Sequence, residues 1–449
     1  MTLSACSVGP DYKAPSVTAS QHYDVQAEQR VSFNQKVSVD WWSTFHSHTL
    51  DRVMRRAIAG NLELAAAADA TLRQAAASVA AAEGALFPQV EFAAQAGRQR
   101  VHNAARPAVT NFYGVGPQVS FDLDVFGGNQ RRVEQQQAFA DLQQHRFEAA
   151  YLTLTGDVAS QALLMASATA QMEAVQTLLA TDAKNLELVR AAQHSGAATQ
   201  LDISLAETRL AQDRTLLPPL AQQRDAARHA LSILAGKGPA DWRAPDFNLA
   251  EFASATTLPV SLPSELAHDR PDVQQAEAEL HAASAAVGVA TANLYPHVEL
   301  SASLAQAASG NGGAALWGFA AGLAGPIFDG GTRKAERQAA VEGYNAALAH
   351  YQQTVIQSFG QVADTLQAIN HDAEEYQAQT AALQAADNSL RLNQHAYGAG
   401  ENGLLQVLEA QRAYEQALLG QIRASTARHL DTVRLFVALG GRSVNDFKR

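Results

Sequence analysis

The chain says nearly the same thing twice, and that duplication limits what it can fold into more than any other feature. Gly84-Ala85-Leu86-Phe87-Pro88-Gln89-Val90 opens an alternating stretch in the first half, as Ala292-Asn293-Leu294-Tyr295-Pro296-His297-Val298 does in the second. Val125-Phe126-Gly127-Gly128 with Arg131 follows in one half, and Ile327-Phe328-Asp329-Gly330-Gly331 with Arg333 in the other. Each half then runs through a long helical pattern to a glycine break. There Ser195-Gly196, Leu201-Asp202 and Ala206-Glu207 pair with Ala399-Gly400, Leu405-Gln406 and Ala410-Gln411. Landmarks repeated in the same order mark a duplicated structural unit. The chain accordingly divides into an amino-terminal segment, 1–50, a first repeat, 51–240, a linker, 241–263, a second repeat, 264–441, and a tail, 442–449.

Each repeat has the same internal plan. Apolar residues at helical spacing from Leu50 to Phe87 predict a helix that Pro88 stops. Partial alternation predicts strands over 89–101 and 113–126, and a proline-free apolar stripe that includes Leu179, Leu186 and Val189 predicts a long helix over 129–194. A helix of about 66 residues would be about 100 Å long, too long for an ordinary globular domain. A return helix over 200–236 follows, interrupted at Pro218-Pro219. The second repeat predicts a helix over 264–294, strands over 297–308 and 316–328, a long helix over 332–397 and an uninterrupted return helix over 404–439.

Composition fits long, close helices: 47% of the 449 residues are hydrophobic, yet only 7% are aromatic and 14 are proline, so alanine dominates the packing. The formal charge of -11 argues against nucleic acid as a partner, because a polyanion needs a basic face. The most alanine-rich stretch, Leu62 to Leu86, carries Glu63, Asp69, Arg73 and Glu83, which excludes it as a membrane-spanning helix. HExxH, GxSxG and Walker A patterns are absent and no GxGxxG follows a predicted strand, so no enzyme chemistry, cofactor or metal site is expected. His46 and His48 form an isolated pair in a polar segment and are read as solvated, and the Gly127-Gly128 and Gly330-Gly331 pairs are read as turn geometry.

Four strands of about 11–14 residues are long enough to cross a bilayer when tilted. An open four-stranded sheet in lipid would leave unpaired edges, at several kcal/mol for each unsatisfied backbone group. The sheet must therefore close by sharing. Two chains would give eight strands and a filled interior, three would give twelve and a lumen, and residue patterns alone leave both open.

The single cysteine, Cys6, sits in Leu3-Ser4-Ala5-Cys6-Ser7, a string that resembles a bacterial lipobox. Acylation there would contribute about 0.8 kcal/mol per buried methylene, enough for several chains to anchor the amino terminus. A covalent lipid on Cys6 is thus expected.

Further motifs match a known family. They are Cys6-Ser7-Val8-Gly9-Pro10-Asp11-Tyr12, Trp41-Trp42-Ser43-Thr44-Phe45 with Leu50-Asp51 and Asn61, and Arg270-Pro271-Asp272-Val273 with Gly288-Val289-Ala290. Gly325-Pro326-Ile327-Phe328-Asp329-Gly330-Gly331 completes the set. With them the chain resembles, over essentially its whole length, the TolC-like outer membrane factors, most closely the NodT-type lipoproteins that serve resistance-nodulation-division pumps. The resemblance implies a mainly α protein with a membrane β part: a homotrimer whose twelve-stranded outer-membrane β-barrel continues into a periplasmic α-helical barrel. It implies a lipid-anchored channel in the bacterial outer membrane, with a periplasmic membrane-fusion adaptor and an inner-membrane pump as partners and outer membrane lipid around it. It also implies that Ser195, Gly196, Ala399 and Gly400 form adaptor-contacting tips and that Tyr397, Gln406 and Glu409 belong to a periplasmic gate. Relatives often carry acids at the positions of both Gln406 and Glu409, and here only the second is acidic. Three symmetry-related Glu409 side chains about 6 Å apart would repel by about 0.7 kcal/mol per pair even at the dielectric of water.

Trp41 and Trp42 are expected to pack the amino-terminal segment against the helices. Arg131, Arg132, Arg333 and Lys334 lie where the long helices leave the strands and suit either lipid headgroups or water. Two other functions fit the same composition. One is a periplasmic scaffold whose strands form a small soluble sheet, and the other is the exit duct of a type I secretion system. Strand alternation separates the first from a channel: Val119, Phe121, Leu123 and Val125 alternate with Ser120, Asp122 and Asp124, whereas Ala320, Ala321, Gly322 and Ala324 leave the faces of the last strand blurred.

Overall fold

A computed structural model describes residues 7–16, 31–33, 37–103, 106–252, 258–260, 266, 269–309 and 312–440. In chain order its elements are β1 (Val31–Phe33), α1 (His48–Gly60), α2 (Leu62–Ala65), α3 (Leu72–Gly84), β2 (Gln89–Asn103), β3 (Arg106–Asp122), α4 (Gly128–His194), α5 (Gln200–Arg214) and α6 (Leu217–Leu234). Then come β4 (Leu258–Val260), α7 (Pro271–Ala292), β5 (His297–Ser309), β6 (Gly312–Ala324), α8 (Thr332–Gly398) and α9 (Leu404–Ala438). Described residues within 1–16, 68–146 and 272–354 form one compact unit, and those within 17–67, 147–271 and 355–449 form a second.

The first unit holds the sheet. Its strands lie in the order β2-β3-β5-β6, all neighbours antiparallel, so the two hairpins of the repeats join edge to edge through β3 and β5. Both hairpins reach further toward their turns than alternation predicts, and both end earlier at the helix side: β3 stops at Asp122 rather than Phe126, and β6 at Ala324 rather than Phe328. The early ends have local causes. Asp124 adopts a positive φ of 44°, and its carboxylate caps α4 by accepting from the backbone N–H of Asn129 at 2.8 Å and of Gln130 at 2.9 Å. Asp329 serves the second repeat in the same way, accepting from Gly331 and Arg333 at 2.9 and 3.1 Å. Gly127, Gly330 and Gly331, with φ of 74°, 67° and 92°, supply the left-handed backbone of these turns.

The second unit holds the main hydrophobic core. Trp41, Trp42 and Phe45 are buried there with Met54, Leu163, Met165, Phe247 and Phe436, and Trp41 stacks on Phe436 at 5.3 Å. β1 pairs in parallel with β4, joining the amino-terminal segment to the linker. Ser47, between the two exposed histidines, caps α1 by accepting from the backbone N–H of Leu50 at 3.2 Å.

Two helices expected to be continuous are not. The one predicted over Leu50–Phe87 breaks at Asn61, which caps the following turn by accepting from Leu64 N–H at 2.8 Å and donates to the carbonyl of Leu234 at 3.0 Å. A π-helical turn, Ala66–Thr71, then separates α2 from α3. The close approach of two backbones fixes this break: a Cβ on Gly236 would lie 1.9 Å from the Gly60 carbonyl oxygen. In the first return helix the interruption comes at Thr215-Leu216, ahead of Pro218 and Pro219, which occupy the first turn of α6. Proline is tolerated there because a first-turn N–H has no helical acceptor. The two prolines offer no N–H to the carbonyls of Arg214 and Thr215 four residues back, so α5 ends at Arg214 although Thr215 and Leu216 keep α-region backbone.

Candidate functional site

The sheet separates its side chains cleanly, and the register resolves the ambiguity in β6. Val90, Phe92, Ala94 and Ala96 lie opposite Val119, Pro117, Val115 and Tyr113. The same face continues through Leu300, Ala302 and Leu304 of β5 to Ala321, Phe319 and Trp317 of β6. The other face carries Glu91, Gln95, Gln118, Ser120, Asp122, Glu299, Ser301 and Ser303. Phe92, Trp317, Phe319 and Leu323 are 70–82% exposed, a broad apolar surface that water does not tolerate. One position pins the sheet: a Cβ on Gly116 would meet the Leu304 carbonyl oxygen at 1.8 Å. Pairing of β3 with β5 runs over Phe112–Val115 and resumes at Gln118–Asp122, skipping Gly116 and the donor-less Pro117.

Residues 7–16 clasp the first unit. Val8 N–H donates to Phe126 at 3.2 Å, and Ser7 lies so close to Gly127 that a Cβ there would reach its Cα at 2.8 Å. Arg131 binds Asp11 and Glu134, each at 2.7 Å. It is therefore buried in a protein ion-pair cluster, contrary to the expectation that it meets headgroups or water; Arg132 and Lys334 are exposed. Glu134 also contacts His281 at 3.0 Å, and the Tyr12 ring stacks on that imidazole at 4.2 Å. Burial, reinforced by Glu277, pushes the Tyr12 hydroxyl to a higher pKa than usual. Cys6, the expected lipidation site, lies outside the described residues.

In the second unit, the turns at Ser195-Gly196 and Ala399-Gly400 have the same build. Gly196 and Gly400 have φ of 80° and 74°, and Ala197 N–H and Glu401 N–H each reach back five residues, to Ala192 and Ala396, at 2.8 Å. This is the Schellman ending, and the glycines are needed for φ alone, since a Cβ on either would meet nothing within 4 Å. Thr199 and Asp202 form a capping box on α5, and those hydrogen bonds from Thr199 hold the Asp202 carboxyl below its usual pKa.

Tyr397 packs on a cluster of Leu186 and Val189 from α4, Ile203, Ala206 and Leu210 from α5, and Leu404 and Leu408 from α9. Gln406 and Glu409 are on the opposite, exposed side of α9, with Leu405 and Arg412. Tyr397 thus joins the packed seam, while Gln406 and Glu409 form a separate exposed strip.

Sequence patterns missed a buried polar cluster beside that seam. Arg209 of α5 is paired with Asp213 at 3.0 Å and with Glu415 of α9. Gln411 of α9 donates to Asp182 of α4 and accepts from Asn185 at 3.2 Å. Asp182, Arg209, Asp213, Gln411 and Glu415 are all 9% exposed or less. Asp182 lies three residues after Leu179 and four before Leu186, so an acid within the apolar stripe of the long helix was the available signal. Burial, then Asp213 beside it, raises the Asp182 carboxyl to about 7.

Among the described residues no cluster of three or more potential metal ligands occurs, and no helix is long and apolar enough to cross a membrane.

The profile of a family described as outer membrane efflux protein matches residues 53–237 and 262–441. The pyoverdine export outer membrane protein OpmQ of Pseudomonas aeruginosa is 30% identical over 419 residues, 89% of this chain and 87% of its own. Nodulation protein T of Rhizobium leguminosarum bv. viciae is 26% identical over 446 residues, 98% of this chain and 92% of its own. The solved outer-membrane channel OprN superposes with a TM-score of 0.91 at 26% identity, covering 97% of this chain and 99% of OprN.

Proposed function

The chain belongs to the outer membrane efflux protein family, and from that premise we propose that three copies assemble into one passive export duct fed by an inner-membrane pump. The fold is that of the outer-membrane efflux channels, and the protein is an outer membrane component of an efflux system. The trimer, its partners and its lipid are the further steps. The observation that carries them is the sheet: one apolar face, one polar face and two free edges, β2 and β6. In lipid those edges must find partners, and β6 of one copy meets β2 of the next in the antiparallel sense already set by the alternation of strands. Three copies give twelve strands with the apolar face outward and Glu91, Gln95, Gln118 and Ser303 lining a wet lumen.

In this reading the long helices α4 and α8 extend the lumen into the periplasm. The glycine turns at Ser195-Gly196 and Ala399-Gly400 meet a periplasmic membrane-fusion adaptor, and a resistance-nodulation-division pump in the inner membrane supplies the energy. Tyr397, Gln406 and Glu409 belong to the periplasmic gate. A lipid on Cys6 anchors the chain, supported by the seating of Ser7 and Val8 on Phe126-Gly127, within the landmark that follows the first hairpin.

Cysteine crosslinking tests the shared edges. With Cys6 replaced by serine, a cysteine at Ala94 in β2 combined with a scan of single cysteines along β6 is expected to give covalent dimers and trimers at one register. Monomers at every position of the scan would contradict closure by neighbouring copies.

A further inference from the structure

Asp182 and Asp213 meet side chain to side chain inside the second unit, and neither Oδ2 accepts an aligned hydrogen bond from another described group, although Arg209 Nε is ion-paired to Asp213 Oδ2 at 3.0 Å. Both side chains are nearly sealed from water, at 3% and 2% exposure. Two carboxylate oxygens in contact cannot satisfy one another unless one of them carries a proton, because an ionised carboxylate only accepts. The charged groups facing the pair are Arg209 on the α5 side and, through Arg209, Glu415 on the α9 side. Three carboxyls surround one guanidinium, so the cluster remains negative even with one proton held. The uncharged partners are Asn185 of α4 and Gln411 of α9.

We propose that this cluster is a proton-held latch: while Asp182 and Asp213 share a proton, Gln411 and Glu415 fasten α9 to α4 and α5, and loss of the proton loosens α9. The proposal rests on the channel reading given above. Gln411 is two residues from Glu409 on the same helix, so whatever fixes the buried side of α9 there also fixes the exposed strip of Gln406 and Glu409. Losing the proton places a second negative charge beside the first in a site that water does not reach, and like charges so placed repel strongly. The sign follows from linkage. The acid holds its proton up to about 7 in the folded protein against 3.8 as its ordinary value. The latch is therefore complete at low pH, weakens as pH rises through that window, and is loosest above about 7.

A second pair of similar build, Asp372 of α8 with Asp431 of α9, lies toward the other end of α9. Asp372 Oδ2 is likewise buried without another donor, and Asp431 is held by Arg434 at 2.6 Å. Burial and the neighbouring Asp431 raise Asp372 to about 7. It serves as the comparison site.

The test is conductance of the purified full-length protein in planar bilayers, with the pH on the side of the glycine turns varied from about 6 to about 8. The wild type is expected to conduct at least about threefold more at the higher pH, in a one-proton step. Asp182→Asn, whose amide donates to Asp213 at every pH, is expected to abolish the step and hold the low conductance, while Asp372→Asn leaves the step in place. Asp213→Asn supplies the same donor from the other side if Asp182→Asn does not assemble. Infrared difference spectra give a second readout: a protonated carboxyl band at pH 6 that loses one component in Asp182→Asn and keeps that component in Asp372→Asn. Conductance with an unchanged step in Asp182→Asn, or no such band in the wild type, overturns the latch. A wild type that conducts at no pH instead contradicts the channel reading, a distinguishable failure.

Discussion

Glu409 sits on the exposed strip of α9, where its charge meets water in one chain but faces two copies of itself about a threefold axis if the proposed trimer forms. At about 6 Å each pair would repel by about 0.7 kcal/mol in water and by more where water is excluded. Glu409→Ala is therefore expected to change the resting conductance or its sensitivity to cations, read in planar bilayers. Unchanged values for both would remove Glu409 from the gate. Gln406 is neutral and adds no charge to the strip, so in the proposed gate the electrostatics would rest on Glu409 alone. Both residues are predicted from the resemblance, and the structure adds which side of α9 they occupy. The buried cluster around Arg209 is a different case. Its members lie on three helices far apart in sequence, and only packing brings them together.

At the scale of elements, the most demanding position is Gly116, where β3 and β5 approach so closely that the Leu304 carbonyl occupies the place of a Cβ. Overpacking costs about 1–3 kcal/mol where side chains can move. Here the obstacle is backbone, so Gly116→Val is expected to cost at least the upper part of that range and to reduce the yield of assembled protein, measured by native gel. Normal assembly of that variant would show that β3 and β5 are not locked at this point. The duplicated landmarks made the hairpins, the two long helices and the glycine turns legible, because proline, glycine and alternation act locally. The breaks at Asn61 and Thr215 were less legible. The first arises where Gly60 meets Gly236 across the fold, and the second because each proline withholds an N–H from the carbonyl four residues back, which places the break ahead of the prolines themselves. The faces of β6 are blurred by alanine and glycine in isolation and become clear only when Leu304 is seen opposite Trp317 and Ala302 opposite Phe319.

For the molecule as a whole, the four-stranded sheet is the part that cannot stand alone. Both faces of β6 are exposed in a single chain, and among the described residues no element covers Phe319 and Trp317. A soluble scaffold would leave that apolar surface in water. A shared barrel places it in lipid and pairs both edges at once, with Glu91, Gln118 and Glu299 turned to an aqueous lumen. The amino-terminal clasp is consistent with a chain held at the same level, since Ser7 and Val8 are seated beside the start of α4. Electron cryomicroscopy of the detergent-purified protein tests this most directly. Threefold hollow particles with a twelve-stranded ring are the expected result, and undenatured monomers or solid assemblies without a lumen would contradict the shared barrel.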